Sequence, residues 1–331
     1  MILAVETSCD DTCAAVLDGD ELRSSVVSSQ DEFHARYGGV VPEVASRRHL
    51  ELINPVIADA MEQAGAVAED LNRVAVTTHP GLIGALMIGV ATAKTLAYSW
   101  GVDLVGVSHI DGHIAANYLP PDPVEPPFVC LIASGGHTSI VHVRERGSYD
   151  LVGQTLDDAA GEALDKGARL LGLDYPGGAE LDRLAASGDS GRFDFPIGLD
   201  REGNHDFSFS GLKTSLYYFL RDGGAEVLKR SRADIAASYQ GAVVTALVSK
   251  TVAAARSLSC GSICLSGGVS ANSELRRRLS EACREEGMTL RIPPAELCTD
   301  NAAMIASAAR YVAPLPRGEW LALAARASGA S

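Results

Sequence analysis

The stretch Phe128-Val-Cys-Leu-Ile-Ala133 is an uninterrupted apolar run, and the turn Ser134-Gly-Gly-His-Thr138 follows it directly. A second apolar run, Ser139-Ile-Val-His-Val143, comes after the turn. The pattern predicts two strands joined by a tight turn whose backbone can approach a phosphate closely, because Gly and Ser add little bulk. His137, beside the two glycines, can donate a hydrogen bond to such a phosphate.

Two other places repeat this pattern. Ile2-Leu-Ala-Val5 precedes the turn Glu6-Thr-Ser-Cys-Asp-Asp-Thr12, and Ser262-Ile-Cys-Leu265 precedes Ser266-Gly-Gly-Val-Ser-Ala-Asn272 and a helix. The first predicts another strand–turn–strand hairpin, and the second a strand leading into a helix N-terminus, which suits an anion. Any one of these could be an ordinary tight turn. Together they predict a duplicated βββαβα domain with a nucleotide between the halves.

Helices are predicted where small and apolar residues recur at helical spacing, over residues 43–64, 82–100, 233–258 and 301–312. A cluster of prolines that includes Pro120, Pro123, Pro126 and Pro127 marks a domain boundary in the region 103–127. We therefore expect a first domain of residues 1–106, on which residues 298–331 pack back, and a second domain of residues 107–297.

Bulk composition describes an ordinary globular protein, with 331 residues, 47% hydrophobic and 21% charged. No uninterrupted apolar run reaches the length of a membrane span, about 18 residues. The N-terminus lacks a basic region and a cleavage site, so a first strand is expected there and not a signal peptide. Seven cysteines without a scaffold-like spacing favour reduced, structural thiols in a cytoplasm.

The net charge of −14 argues against a protein that grips nucleic acid over its whole surface. It leaves room for a local basic patch or for partners that supply positive charge. The most basic short runs are Arg276-Arg-Arg278 and Arg47-Arg-His49. Either could contact nucleic-acid phosphate, although exposed helix faces explain both more simply.

A metal site is suggested by His109-Ile-Asp-Gly-His113, because histidines at i and i+4 share one face of a helix. Partly exposed polar positions explain the same spacing. The zincin motif would place a Glu directly after the first His, and Ile110 stands there, so a peptidase would lack its base. Asp300, at a predicted helix start, is the best third ligand, or else a simple N-cap.

Other polar residues have both a functional and a simpler explanation. Asp10 and Asp11 lie in the first turn, where an acid could orient a metal or water or accept a proton, or could merely form the turn. Asp165 lies on a helix expected to begin at the acids of Asp157-Asp158, most of whose charge would be solvated. The segment Phe207-Ser-Phe-Ser-Gly-Leu-Lys213 is compatible with a nucleic-acid or partner edge.

These motifs together resemble the universal tRNA threonylcarbamoyladenosine transferase family, whose members were once described as O-sialoglycoprotein endopeptidases. The resemblance covers essentially the whole chain, with the motifs in the same order. Residues 37–42 and His137 resemble the bacterial (TsaD) branch of the family. The matching motifs are Glu6-Thr-Ser-Cys-Asp-Asp-Thr12, Tyr37-Gly-Gly-Val-Val-Pro-Glu43, Ser46-Arg-Arg-His49, His109-Ile-Asp-Gly-His113, Ser134-Gly-Gly-His-Thr138, Asp157-Asp-Ala-Ala-Gly-Glu162, Asp174-Tyr-Pro-Gly-Gly178, Phe207-Ser-Phe-Ser-Gly-Leu-Lys213, Ser266-Gly-Gly-Val-Ser-Ala-Asn272 and Cys298-Thr-Asp-Asn-Ala-Ala-Met-Ile-Ala306.

The resemblance implies an α/β fold of the actin-like (ASKHA) type, with two duplicated βββαβα-type domains around a central cleft. It implies a cytoplasmic acyltransferase that moves threonylcarbamoyl from threonylcarbamoyl-AMP to N6 of adenosine 37. The acceptors would be tRNAs that read ANN codons, and the product would be t6A. Because this donor is already activated, no nucleophilic side chain is required, and catalysis consists of orientation and charge neutralisation.

The resemblance also implies the site residues. His109, His113 and Asp300 match the metal ligands, and Asp10 matches an acid that assists catalysis. The positions that match the donor-binding residues are Ala133, Ser134, Gly135, Gly136, His137, Asp165, Gly178, Asp182 and Asn272. One divalent metal per subunit is expected, Fe(2+) or alternatively Zn(2+), in the interdomain cleft, where it would orient the donor.

The implied partners are tRNA, an inactive TsaB-like paralogue and a TsaE-like P-loop ATPase, with no membrane. Two departures stand out: His79 replaces a Gly that usual members have before Pro-Gly-Leu, and Ala302 replaces a common Gly. One alternative is a small-molecule kinase or carbamoyltransferase of the same fold; in a kinase the two histidines with Asp300 have no obvious role. The other is an inactive partner subunit, which should lack these ligands.

Overall fold

The computed structural model describes residues 1–327, apart from the side chains of residues 224 and 225. In chain order its strands are β1 (Ile2–Glu6), β2 (Asp11–Asp18), β3 (Glu21–Ser29), β4 (Arg73–His79), β5 (Asp103–Ser108), β6 (Phe128–Ala133), β7 (Thr138–Glu145), β8 (Ser148–Gln154), β9 (Ser262–Ser266) and β10 (Thr289–Arg291). Its helices are α1 (Asp31–Ala35), α2 (Pro42–Ala64), α3 (Ile83–Trp100), α4 (His109–Ala115), α5 (Ala160–Leu170), α6 (Gly177–Ala185), α7 (Ser210–Ser257), α8 (Ser273–Glu285), α9 (Ala295–Cys298) and α10 (Ala302–Ala308).

The chain divides into two compact units, one of residues 1–124 with 293–331 and one of residues 125–292. The first unit contains a sheet of order β3-β2-β1-β4-β5, and the second a sheet of order β10-β9-β6-β7-β8. In each unit the first strand pairs antiparallel with the second and parallel with the fourth. The two sheets therefore have the same topology, which confirms the predicted duplication.

The apolar runs that the sequence showed form the centres of these sheets. All six residues of β6 are buried, and four of the five residues of β1 are buried. Strands covered on both faces read as continuous apolar runs because neither face meets water. Each sheet belongs to its own hydrophobic core, around Leu3 and Val76 in the first unit and around Leu131 and Tyr239 in the second.

The three predicted turns all have the expected form. Strands β1 and β2 form an antiparallel hairpin, as do β6 and β7, in which Ala133 pairs with Thr138. Strand β9 leads through the short 3-10 helix Gly268–Ala271 into α8. Both predicted hairpins and the predicted strand-to-helix turn are confirmed.

Helix α7 begins at residue 210, not near residue 233 as predicted. Leu212 and Leu216 recur at helical spacing and are buried in the core of the second unit, which holds this first half in place. The sequence did not predict this first half as helix because the Gly-Gly pair at 223–224 lies within it, and glycine weakens a helix interior. Helix α10 is shorter than predicted: it spans Ala302–Ala308, and Asn301 caps it by accepting a hydrogen bond from the Met304 amide.

The unit boundaries also differ from the expected ones. The expected boundary after residue 106 falls inside β5, which pairs with β4 of the first sheet. Helix α4 follows β5 and packs closely on α10, since a Cβ at Gly112 would lie 2.7 Å from Ile305 Cδ1. His109 and His113 therefore belong to the first unit, whereas the expected boundary put them in the second.

At the C-terminal side the first unit resumes at residue 293, and not at 298. Of the expected C-terminal segment, residues 328–331 lie outside the described part of the chain. Among residues 1–327, no helix combines the length and the apolar character that a membrane crossing would need.

Candidate active site

Helix α4 places two histidines on one face in the first unit. It begins directly after β5, where the Ser108 side chain caps it by accepting a hydrogen bond from the Ile110 amide (3.2 Å). His109 and His113 stand one turn apart and are both buried. The helical spacing that the sequence suggested is confirmed.

The third member of this cluster is Asp300, in the turn before α10. Its Oδ1 atom lies 3.5 Å from His109 Nε2 and 3.6 Å from His113 Nε2. One candidate ligand atom from each of the three residues lies within 4.8 Å of the others. Two imidazoles and one carboxylate are a donor set that suits Fe(2+) or Zn(2+), so the residues fit the implied metal.

Electrostatics within the cluster favour a positive charge. Although burial alone would lower it, the carboxylates of Asp300 and Glu6 raise the pKa of His109 to about 9. Burial, together with the Glu6 and Asp10 carboxylates, raises the pKa of Asp300 to about 6 against the opposing effect of His109. Several acids in one buried place would be stabilised by a cation held between them.

Glu6, the last residue of β1, is a functional candidate that the sequence analysis missed. It is fully buried, and its Oε2 atom lies 3.1 Å from His109 Nδ1. Thr77 Oγ1 donates to Oε2 and the Ser8 amide donates to Oε1, each at 2.5 Å. A carboxylate at Nδ1 orients the ring so that Nε2 faces Asp300. The available signal was an acid at the end of an otherwise apolar strand.

Asp10 lies in the β1–β2 turn, close enough for its charge to act on Asp300. Its neighbour Asp11 begins β2, and burial together with the Asp10 and Asp300 carboxylates raises the pKa of Asp11 to about 7. The structure thus brings the predicted catalytic acid Asp10 into the electrostatic surroundings of Asp300, one of the three candidate ligands.

Two thiols close enough to feel the charge of Asp300, those of Cys9 and Cys13, are poor nucleophiles. Burial and the neighbouring carboxylates raise the pKa of Cys9 and of Cys13 well above the ordinary thiol value. A thiol with a raised pKa carries little of the reactive thiolate at neutral pH. All seven cysteines are free, and six of them are buried, as expected for structural thiols.

In the second unit, the β6–β7 turn has a defined backbone. The Ser134 amide donates to the His137 carbonyl (2.8 Å), and the His137 amide donates to Ser134 Oγ (3.1 Å). Gly135 and Gly136 at its tip are exposed, and a Cβ at either would meet open space. The tip backbone is therefore accessible to a ligand, as the sequence predicted.

Two further segments contact this turn through glycines. The Gly161 amide, at the start of α5, donates to the Ser134 carbonyl (3.1 Å), and a Cβ there would lie 2.6 Å from the same oxygen. Gly267, at φ +91°, abuts the carbonyl of Ala133 so closely that a Cβ would overlap it. The turn 133–137, the start of α5 and the loop 267–272 thus converge within the second unit.

The remaining predicted donor-binding residues are tied together by hydrogen bonds. Asp165 Oδ1 accepts from the Gly178 amide (2.8 Å) at the start of α6. Asp182 accepts from the amide and the hydroxyl of Ser273, each at 3.0 Å. Both oxygens of Asp182 therefore accept hydrogen bonds within the protein.

Gln240, which the sequence analysis did not single out, links Asp182 to Asn272. Its Nε2 donates to Asp182 Oδ1 (2.9 Å), and its Oε1 accepts from Asn272 Nδ2 (3.0 Å). Because a carboxylate only accepts, it fixes the orientation of the Gln240 amide and, through it, of the Asn272 amide. Asn272 Oδ1 caps α8 at the Leu275 amide (2.9 Å), so its second N–H is the group it can offer to a ligand.

Asp157 does not lie on a helix as expected, because α5 begins only at Ala160. Its carboxylate instead caps the start of α7. Oδ1 accepts from the Phe209 and Ser210 amides, and Oδ2 accepts from the Ser208 and Ser210 hydroxyls. The acid-rich motif therefore joins the segment before α5 to the long helix.

The basic runs that the sequence highlighted are engaged within their own units. Arg276 Nε donates to the Ser270 carbonyl, Arg278 donates to Thr245 Oγ1, and Arg277 pairs with Glu274 and Glu281. In the other run Arg47 pairs with Glu43, and His49 is buried against Thr12. The exposed helix faces expected as the simpler explanation account for Arg47 and Arg277, which pair with acids of their own helices, whereas Arg276, Arg278 and His49 contact other segments.

The structure shows the surroundings of the two departures from the family pattern. His79 Nδ1 lies 2.9 Å from Thr78 Oγ1. Ala302 is fully buried as the first residue of α10.

Comparison with solved structures identifies the fold. A full-length HypF in the phosphate- and nucleotide-bound form superposes with a TM-score of 0.62 at 15% identity, over 99% of this chain and 56% of that one. The Acidaminococcus fermentans (R)-2-hydroxyglutaryl-CoA dehydratase component A superposes with a TM-score of 0.54 at 15% identity, over 96% and 97%. At identities this low, a superposition shows the fold alone. These two superpositions confirm the expected actin-like (ASKHA) fold class.

Sequence relatives are far more similar. A family model for tRNA N6-adenosine threonylcarbamoyltransferase, TsaD, matches residues 21–307. The enzyme of that name from Anaeromyxobacter dehalogenans is 51% identical over 96% of this chain and 95% of its own length. Those from Moorella thermoacetica and Clostridium perfringens are 51% and 47% identical, each over 94% of this chain and 91% and 92% of their own. Identity of this extent means that the chain belongs to the tRNA N6-adenosine threonylcarbamoyltransferase family.

Proposed function

We propose that the chain transfers threonylcarbamoyl from threonylcarbamoyl-AMP to N6 of adenosine 37 in tRNAs that read ANN codons, forming t6A. Family membership makes the chain a transferase of tRNA modification. The observation that carries the finer proposal is the buried cluster of His109, His113 and Asp300, oriented by Glu6. An inactive partner subunit would have no use for such a cluster.

Three side chains would hold the proposed metal, Fe(2+) or Zn(2+): His109, His113 and Asp300. A divalent cation there would supply a Lewis acid that stabilises negative charge developing on the donor. Glu6 accepts a hydrogen bond from Nδ1–H of His109 and so keeps Nε2 available as a ligand. The acidic surroundings of the cluster would thus favour a cation at the position between His109, His113 and Asp300.

The proposed reaction needs no nucleophilic side chain. The N6 amine of adenosine attacks the carbamoyl carbon, the bond from this carbon to the phosphate oxygen breaks, and AMP leaves with the electron pair. The amine then gives up one proton, for which Asp10 is the proposed acceptor. The raised pKa values of Cys9 and Cys13 agree with a mechanism that makes no use of a thiolate.

The second unit would bind the adenylate part of the donor. The exposed backbone of Gly135 and Gly136 can approach a phosphate without hindrance from side chains. Asn272 has one amide N–H left to donate, which suits an acceptor atom of the nucleoside. Asp165 and Asp182 would act by holding the segments around Gly178 and Ser273.

The proposal includes partners and a location. A TsaB-like inactive paralogue and a TsaE-like P-loop ATPase would act with the chain in the cytoplasm. The net charge of −14 supports this part of the proposal, because a composite surface could supply positive charge for tRNA that the chain as a whole does not.

The test uses the purified chain, synthetic threonylcarbamoyl-AMP and unmodified tRNA, with and without the proposed partners. Digestion of the tRNA and mass spectrometry of its nucleosides should detect t6A, and a tRNA with guanosine at position 37 should give none. Phosphoryl transfer from ATP to a small molecule without tRNA would instead favour the kinase alternative. Absence of t6A under all these conditions would contradict the proposal.

A further inference from the structure

The exposed side of the first half of α7 carries aromatic and basic side chains together. We define the α7 face as Lys213, Tyr217, Tyr218 and Arg221. The two tyrosines are 51% and 48% exposed, and the Arg221 side chain is 56% exposed. Two large exposed rings on one helix are unusual for a surface that serves only to meet water.

Helix geometry puts these residues on one side. At about 100° per residue, they fall within an arc of about 140° and along about 12 Å of the helix axis. Leu212 and Leu216, which are buried in the core, lie on the opposite side of the same turns. The α7 face is therefore turned away from the core of the second unit.

The rings and the guanidinium contact one another. The ring centroids of Tyr217 and Tyr218 are 5.6 Å apart at an interplanar angle of 62°. The Arg221 guanidinium lies 4.6 Å from the centroid of the Tyr218 ring. Aromatic rings and guanidinium planes are the surfaces on which unpaired RNA bases stack.

Charge on this helix segment is opposite to that of the whole chain. Residues 210–232 carry five basic side chains and two acidic ones, whereas the whole chain has a net charge of −14. The basic residues are Lys213, Arg221, Lys229, Arg230 and Arg232, and the acidic ones are Asp222 and Glu226. Of these basic residues only Lys213 and Arg221 lie on the α7 face, so these two are the cations that would meet a polyanionic partner there.

We propose that the α7 face binds the RNA of the tRNA substrate, with Tyr217 and Tyr218 stacking on unpaired bases and Lys213 and Arg221 contacting phosphates. This inference rests on the proposed function, because only a tRNA acceptor brings RNA to the chain. A protein partner is disfavoured because the face has cations flanking its rings and no aliphatic centre. Each stack tightens binding by at least about fivefold.

Two arginines of α7 provide a matched pair for the test. Arg221 and Arg230 are both exposed and both pair with an acid of the same helix, Asp222 and Glu226. Their positions differ by nine residues, which places them on opposite sides of the helix. Arg221→Ala should weaken tRNA binding and reduce the slope of log affinity against log salt by about 1, and Arg230→Ala should do neither.

The experiment measures the affinity of the full chain for unmodified tRNA at several salt concentrations, together with KM for tRNA in the transfer assay. The double variant Tyr217→Ala/Tyr218→Ala removes both stacks and should weaken tRNA binding at least about 25-fold while leaving the donor KM unchanged. The unchanged donor KM shows that the variant is folded.

The outcomes separate the α7 face from the proposed function. If the wild-type chain modifies tRNA and the tyrosine variant binds tRNA equally well, the α7 face is not an RNA surface, including the case in which it binds a protein. Equal losses for Arg221→Ala and Arg230→Ala would also overturn the inference. A wild-type chain that neither binds nor modifies tRNA would overturn the proposed function, and the inference with it.

Discussion

Glu6 Oε2 lies 3.1 Å from Nδ1 of His109, although 103 positions separate the two residues in the chain. Strand β1 ends at Glu6 and helix α4 begins at His109, so a central strand of the first sheet and the candidate metal helix meet at this contact. The same carboxylate is held by Thr77 and by the Ser8 amide. A buried acid with this many contacts has a fixed position and can orient the imidazole.

Replacing Glu6 by Gln should therefore weaken metal binding. We expect a loss of affinity of about 10- to 100-fold, because the imidazole loses the acceptor that orients it and makes it more basic. The measurement is a competition titration of Fe(2+) or Zn(2+) against a chelator of known affinity. Glu62→Gln, at an exposed position of α2, is the control and should bind metal as the wild type does. Equal affinities for the two variants would argue against an orienting role for Glu6.

Replacing Gln240 by Leu should separate donor binding from catalysis. The change removes both hydrogen bonds that fix the amide of Asn272 relative to Asp182. We expect the KM for threonylcarbamoyl-AMP to rise about tenfold, equivalent to about 1.4 kcal/mol, with a smaller change in kcat. Gln154→Leu, at an exposed position of β8, is the matched control. A lower kcat with an unchanged donor KM would contradict this account of Gln240.

Replacing Asp157 by Ala should destabilise the second unit by about 1–2 kcal/mol, since the carboxylate caps the start of α7. Burial acts in the other direction, but the hydrogen bonds from Ser208, Phe209 and Ser210 hold the pKa of Asp157 below its usual value. A lowered carboxyl pKa stabilises the fold above the pKa of the unfolded chain, about 3.8. This contribution disappears as the pH falls through the folded-state pKa.

Urea unfolding at pH 7 and at pH 3 measures this effect. The free energy of unfolding of the wild type should exceed that of Asp157→Ala most at pH 7, and the difference should be smaller at pH 3. Glu202→Ala, at an exposed position of the same unit, should show no such difference. An equal difference in the free energy of unfolding at both pH values would mean that Asp157 stabilises the fold by something other than its charge.

Replacing Asp11 by Asn should stabilise the metal-free chain at neutral and higher pH. Burial, with the Asp10 and Asp300 carboxylates, raises the pKa of Asp11 to about 7, so the fold favours its neutral form. Ionisation of Asp11 therefore destabilises the fold increasingly between about pH 4, its unfolded pKa, and pH 7. Asparagine avoids this loss.

Thermal unfolding of the chelator-treated protein at pH 5 and pH 8 tests this expectation. The Tm of Asp11→Asn should exceed that of the wild type more at pH 8 than at pH 5. Glu32→Gln, at an exposed position, should show no such trend. A variant that is less stable than the wild type at pH 8 would contradict the assignment of a buried, repelled carboxyl at position 11.

Much of the fold could be predicted from local patterns. The apolar runs predicted the central strands β1 and β6, and the spacing of His109 and His113 predicted that both lie on one face of α4. Local patterns did not reveal the contacts that position the site. Gln240 acts through Asp182 and Asn272, and Asp157 caps a helix 53 positions away. Such pairs leave no periodic signal, because each depends on how distant segments pack.

The differences from expectation have the same origin. Helix α7 was predicted to start too late, because the glycines at 223–224 weaken a helix locally, whereas packing of Leu212 and Leu216 on the core outweighs that weakness. The domain boundary was placed within β5, because the prolines after it were more visible than its pairing with β4. Tertiary contacts determine both the start of α7 and the boundary of the first unit.

The central claim is that His109, His113 and Asp300 hold a metal that transfer of threonylcarbamoyl to tRNA requires. The most direct measurement is elemental analysis of His109→Ala and Asp300→Ala beside their t6A formation from synthetic threonylcarbamoyl-AMP, with His142→Ala on β7 as the control. We predict that both ligand variants lose bound metal and transfer together, while the control keeps both. A metal-free His109→Ala enzyme with normal turnover would contradict the account.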